Sequence, residues 1–147
     1  MKIAVWHNLP SGGGKRALYY HVRGLVRRGH QLACWSLDTA DQAYLPLSEF
    51  APERILSLAL NKPSRHRLTD RWAPNYTEAV ARLRAFDEAC RRCAREIEAG
   101  DFDLLFANSA QRYYVPYIMR HLRMKKVLYL QEPCRFIYEA SPSLPWV

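Results

Sequence analysis

No run of about 18 apolar residues occurs in the chain, so no segment has the length that a membrane-spanning helix needs. The opening apolar stretch, residues 3–6, is too short for the core of a signal peptide, and the expectation is a cytoplasmic chain that starts at Met1. Cysteine is scarce: Cys34, Cys90, Cys93 and Cys134 are too few and too irregularly spaced for a secreted disulfide scaffold, and they read as reduced thiols. Acidic residues are outnumbered, 14 against 22 Lys plus Arg, and the net charge of +8 favours anionic partners: phosphates, nucleic acid or an acidic lipid surface. Charge does not choose among them. Glycine is scarce too, yet three of the six stand together at Gly12, Gly13 and Gly14.

Cys90 and Cys93 have C-x-x-C spacing, which raises zinc and redox readings. A structural zinc site needs two further ligands at suitable spacing, and no second C-x-x-C or C-x-x-H accompanies the pair. A redox C-x-x-C opens a helix, whereas this one lies deep inside a helical pattern in which Val80, Leu83, Phe86, Cys90, Cys93 and Ile97 recur three or four apart. Core cysteines are the expectation. The five histidines form no independent metal cluster, and no metal is expected.

What is present in quantity is alternation. Residues 2–7 make a short apolar run before Pro10 and the glycines, which suits a buried parallel strand. Residues 13–28 carry Ala17, Leu18, Val22, Leu25 and Val26 on one helical stripe, with Gly29 as the stop. Strands are predicted over 31–37, 54–60, 103–107 and 126–130, the alternation of 54–60 also fitting a helical turn, and helices over 76–99 and 111–122; residues 61–75 read as a loop or a short amphipathic insert. The remainder, from 131, carries three prolines and reads as the start of further chain rather than the close of a domain. Five strands alternating with helices predict one α/β domain over 1–147, a three-layer Rossmann-like sandwich with a mainly parallel sheet ordered 3-2-1-4-5.

Ligands of such sheets bind beyond the carboxyl ends of the strands, where the order reverses. That brings together residues 8–15, 108–112 and 131–135. The glycine triplet is not a Walker-type phosphate loop, because Arg16 stands where a Ser or Thr would bind magnesium. Nor is it a G-x-G-x-x-G dinucleotide fingerprint, since Ala17 holds the last position and Asp38 is the sole acidic candidate after the second strand. Two readings stay open. Either main-chain N–H groups at a helix start hold an anion, with Lys15 and Arg16 adding charge, or the glycines form a tight turn that lets the helix pack on the sheet.

With Gly12, Gly13, Gly14, Arg28, Gly29 and His30 in place, residues 2–36 resemble the opening of the family 4 retaining glycosyltransferases of the GT-B fold. Residues 101–118 resemble a later strand of that family, and residues 125–140 the following strand with its Gln-Glu-Pro-x-Arg turn. The resemblance implies that the chain is the amino-terminal, acceptor-side half of a bilobal hexosyltransferase. A second lobe, which in the family grips the nucleotide sugar and carries a pair of glutamates seven residues apart, is not within it, so the chain alone is expected to be inactive. It further implies that Gly12, Gly13, Gly14 and Lys15 approach the donor diphosphate, and that no metal or other cofactor is needed besides the nucleotide-sugar substrate. Gln131 replaces the histidine of many members; with Glu132 it is a candidate catalytic residue, Gln131 offering a hydrogen bond and Glu132 acting as base or orienting the acceptor hydroxyl. Glu132 reads equally as a cap or as a partner of Arg135.

Asn108, Ser109, Arg112 and Arg135 have the chemistry to bind sugar hydroxyls or an acceptor phosphate, while Asn108 or Ser109 reads equally as a helix cap. Tyr113, Tyr114 and Tyr117 either stack on a sugar or pack in the core. Lys62, Arg65, Arg67 and Arg71, interleaved with Leu68 and Trp72, form either a solvated loop or an anchor at an anionic membrane, the latter in keeping with a lipid-linked acceptor. The leading expectation is therefore transfer of a hexose from a nucleotide sugar to a carbohydrate or lipid-linked acceptor. Its rivals are a non-enzymatic Rossmann-type anion- or nucleotide-binding module and, on charge alone, a nucleic-acid-binding protein. The last lacks any recognition-helix, zinc-finger or aromatic RNP-like signature.

Overall fold

The computed structural model describes residues 1–59, 74–110 and 115–131. Five strands, β1 (Lys2–Asn8), β2 (Gln31–Leu37), β3 (Glu53–Leu56), β4 (Leu104–Ala110) and β5 (Lys125–Tyr129), form one sheet in the order β3-β2-β1-β4-β5. Every neighbouring pair is parallel. The predicted architecture and strand order are thus what the chain adopts.

Strand alternation builds two cores, one on each face of the sheet. From β1, Ile3 and Val5 face α1 (Gly13–Arg27), where they meet Leu18 and Val22 of the helix and Leu32 and Cys34 of β2. Ala4 and Trp6 face the other way. There they meet Phe86, Ala89, Cys90, Cys93 and Ile97 of α2 (Pro74–Glu98), with Trp35 and Leu105. Trp6 is fully buried, its ring edge-on to Phe86 at 6.2 Å, and truncating a side chain of this size in a packed core costs about 3–5 kcal/mol. Cys90 and Cys93 are likewise fully buried free thiols of this core; Cys134 lies outside the described residues.

Right-handed crossovers explain the placement of the helices. β1 to β2 runs one way along the sheet and puts α1 on one face. β3 to β4 and β4 to β5 run the other way, so α2 and the short α3 (Ile118–His121) share the opposite face, where Ile118 and Leu122 join the Trp6 core. On the α1 side the described residues leave a groove of about 350 Å³ over the outer strands, lined by Tyr20, His21, Phe106, Val127 and Tyr129.

Element ends differ from expectation in three places. β3 is shorter than the predicted 54–60, ending at Leu56. β4 runs on to Ala110 rather than stopping at Ala107, because Asn108 continues to pair with Tyr129 of β5 and Ala110 with Asn8 of β1. In place of a helix over 111–122, the described part is helical only over Ile118–His121. Pro116 has no N–H to give and disfavours helical geometry at Val115, so the turn starts beyond it. No described helix is long and apolar enough to cross a membrane.

Candidate functional site

The glycine turn leaves the carboxyl end of the central strand and becomes the first turn of α1. Gly12 occupies the N-cap position at φ 137°, ψ −164°, a backbone region that side chains exclude almost completely. Among the described residues no side chain caps the helix, and no acidic residue stands in its first turn. Arg16 N donates to Gly12 O at 3.0 Å, which closes the first helical hydrogen bond and leaves the amides of Gly13, Gly14 and Lys15 as the initial N–H groups of the helix. Gly12 and Gly13 are exposed.

Gly14 answers a different need. Gln131, immediately beyond β5, lays its side-chain amide across it: Nε2 donates to Gly14 O at 2.9 Å, and a Cβ at position 14 would overlap Oε1. The same Nε2 lies 3.5 Å from Asn108 Oδ1. Asn108 is fully buried, and its Nδ2 donor has no acceptor among the described residues. Between Trp6 and Asn8 the β1–β4 register slips, so that β4 spends an extra residue around Asn108 and Ser109; such bulges re-aim side chains at sheet edges. Three segments expected at one edge therefore meet there through Gly14, Asn108 and Gln131.

Asn108 and Ser109 sit in strand β4 rather than in a loop, and α3 begins at Ile118 behind Tyr117, so neither caps it. Tyr117 packs against Phe86 and the Trp6 core, which settles its expected alternatives in favour of packing. Arg112, Tyr113, Tyr114, Glu132, Arg135 and the basic stretch Lys62, Arg65, Arg67 and Arg71 lie outside the described residues.

Lys15 does not extend its charge into the turn. Its side chain is fully buried and turns down beneath the helix start, where Nζ lies 3.5 Å from His7 Nε2. The same nitrogen of His7 lies 3.3 Å from Glu53 Oε1. Ser36 Oγ donates to Glu53 Oε1 at 3.2 Å, and Gln42 Nε2 donates to Ser36 Oγ at 3.1 Å. Burial drives the His7 imidazole below its ordinary pKa, outweighing the hydrogen bond to Glu53. Burial also lowers Lys15, against the attraction of Glu53, Cys34 and Asp41. For Glu53 burial pushes upward, but the His7 hydrogen bond and the charges of His7 and Lys15, with the Ser36 hydroxyl, hold the carboxyl below the usual range. Cys34 beneath them is pushed up to about 12 by burial.

This cluster was not anticipated from the sequence. No family model matches the chain, and no curated protein matches it. The described residues join a helix start without a side-chain cap, a buried amide donor beside it, and a buried lysine under it. Among the described residues no group of three or more His, Cys, Asp or Glu is placed to hold a metal ion.

Proposed function

We propose that the glycine turn binds the diphosphate of a nucleotide sugar and that the chain is the acceptor-side half of a retaining GT-B glycosyltransferase. The observation that carries the anion site is the pairing of the α1 start with Asn108 Nδ2, a buried donor, at the point where the strand order reverses; among the described residues the first has no side-chain cap and the second no acceptor. A helix start presents partial positive charge from N–H groups that no described side chain satisfies, and a phosphate accepts from them without meeting a Cβ at residues 12–14. In the transfer reaction this turn stabilises charge developing on the departing nucleotide diphosphate. Gln131, clasped to Gly14, stands where the hexose meets the acceptor, and Ser109 and Asn108 provide hydroxyl- and amide-based contacts for the acceptor. The resemblance of residues 2–36 and 125–140 to the family 4 enzymes supplies the reaction class.

The test is titration calorimetry of UDP and GDP against the chain. Binding is expected, weakened at least about tenfold by Asn108→Ala, since the loss of one charge-assisted hydrogen bond is worth about 1.5–3 kcal/mol. Joined to a nucleotide-sugar-binding lobe, the chain should release nucleotide diphosphate from a sugar donor only when an acceptor is supplied; nucleotide binding without any transfer would favour the non-enzymatic module instead. A peripheral membrane role for Arg65 and Arg67 predicts that replacing both by Glu abolishes retention on anionic vesicles.

A further inference from the structure

His7 Nε2 faces two groups with incompatible demands. A charged lysine has only protons to give and needs a lone pair on that nitrogen; a carboxylate has only lone pairs and needs a proton there. Lys15 Nζ at 3.5 Å and Glu53 Oε1 at 3.3 Å cannot both be served by one nitrogen atom. The cluster is closed to water, His7 and Lys15 being fully buried, and among the described residues no carboxylate lies within 4.0 Å of the ammonium. The arrangement is satisfied when His7 Nε2–H donates to ionised Glu53 and the Lys15 amine is one proton short. It then lacks a cation directly beneath the helix start to which Lys15 itself belongs.

We propose that an anion held at the glycine turn and a proton on Lys15 bind together, so that Lys15 is the buried, titrating counter-charge of the site. The inference rests on the anion site proposed above. The backbone N–H of Lys15 is one of the initial amides of the turn, so its ammonium lies within one lysine side chain's length of an amide that would meet the phosphate, and burial leaves their attraction little screened by salt. Protonation of Lys15 takes a proton from the medium to Nζ and breaks no other bond. It is opposed by desolvation and favoured by the incoming anion. Among the described residues the groups that act on this lysine are His7 from β1, Cys34 from β2, Glu53 from β3 and Asp41 from the segment after β2, with Ser36 and Gln42 connected to it through Glu53. Because linkage is reciprocal, whatever strengthens the proton strengthens the anion by the same factor.

Calorimetry of inorganic pyrophosphate binding to the whole chain, in buffers of different ionisation heat between pH 7 and pH 10, reads the proton count directly. The wild-type chain should take up protons beyond those of pyrophosphate itself, and its affinity should fall about tenfold per pH unit, relative to Lys15→Arg, above the pKa of Lys15 in the free chain. Lys15→Arg keeps a charge that never titrates and should bind without the extra uptake; Lys15→Met, which removes the charge, should bind weakly at every pH, again without it. Should Lys15→Met not fold, the arginine variant carries the comparison alone. Pyrophosphate binding with identical proton uptake in the wild type and Lys15→Arg overturns the linkage while leaving the anion site standing. No pyrophosphate binding by the wild type at any pH overturns the anion site, and the linkage with it.

Discussion

The side-chain amide of Gln131 lies across Gly14, donating to its carbonyl at 2.9 Å and filling the space that a Cβ would need. The first turn of α1 and the end of β5 are joined at this point. The obstacle to a side chain at 14 is the far end of a flexible residue, not backbone. Gly14→Ala should therefore fold with stability within about 1 kcal/mol of wild type, because better helix propensity offsets the lost hydrogen bond. Gln131 should nevertheless be displaced, visible as a shift of its side-chain amide resonances, and nucleotide binding should weaken. In a Gln131→Ala background, Gly14→Ala should have no further effect on binding; an additive effect would show that Gln131 is not what position 14 makes room for.

Gly12 and Gly13 should respond in opposite directions. At φ 137° Gly12 holds a conformation that costs a side chain about 1–3 kcal/mol, although open space surrounds it. Gly12→Ala should lower the unfolding free energy by that amount in urea titrations. Gly13 has an ordinary φ and nothing within 4 Å, so Gly13→Ala should be neutral or add up to about 1 kcal/mol by restricting the unfolded chain. Equal losses at both positions would contradict the backbone geometry.

Acid should destabilise the fold through His7 and Glu53. The folded-state pKa of His7 is lowered from 6.5, so below 6.5 the unfolded chain binds a proton that the folded one refuses, and stability falls as pH drops. Glu53 is lowered from 4.5 and acts in the same direction at more acidic pH, its stabilisation present above 4.5 and lost as pH falls towards its folded-state value. One such proton changes stability by at most about 1.4 kcal/mol per pH unit. Denaturant midpoints measured from pH 7.5 to pH 5 should fall in the wild type and fall less steeply in His7→Gln. Asp87, whose carboxyl is buried enough to be pushed upward yet is held low by His121 and Arg91, adds a smaller acid dependence on the far face that both proteins share.

The thiols of Cys34, Cys90 and Cys93 should resist alkylation in the native chain. Desolvation raises all three, Cys34 and Cys93 to about 12, so almost no thiolate exists at pH 8. Peptide mapping after iodoacetamide treatment should find these positions unmodified until denaturant is added. Native modification of Cys93 would mean that the α2 packing against Trp6 opens readily.

The sheet was legible because its cause is written locally: short apolar runs separated by helical stripes and glycine stops leave little choice of topology, and β2 ends where its sequence says. β4 was read too short because Asn108 and Ser109 carry turn chemistry, whereas pairing with Tyr129 and a bulge against β1 keep them in the sheet. The burial of Lys15 was not evident because a basic residue after glycines suggests a solvent-facing charge. Its position was nonetheless open to reading, since Lys15, Leu18 and Val22 fall three and four apart on the buried stripe of α1. His7 likewise continues the alternation of Ile3 and Val5 towards the same helix, and Ser36 that of Leu32 and Cys34. Glu53 gave no such signal, because its meeting with His7 depends on β3 lying at the sheet edge two strands away.

Residues 14 and 131 are 117 positions apart, so the clasp between them closes one of the longest loops the domain contains. On a ribosome the turn emerges early and its latch only after all five strands. Until the outer strand has zipped onto its neighbour, α1 begins with a loose end, and the edge that unites Gly14, Asn108 and Gln131 comes into being only once β5 has joined the sheet.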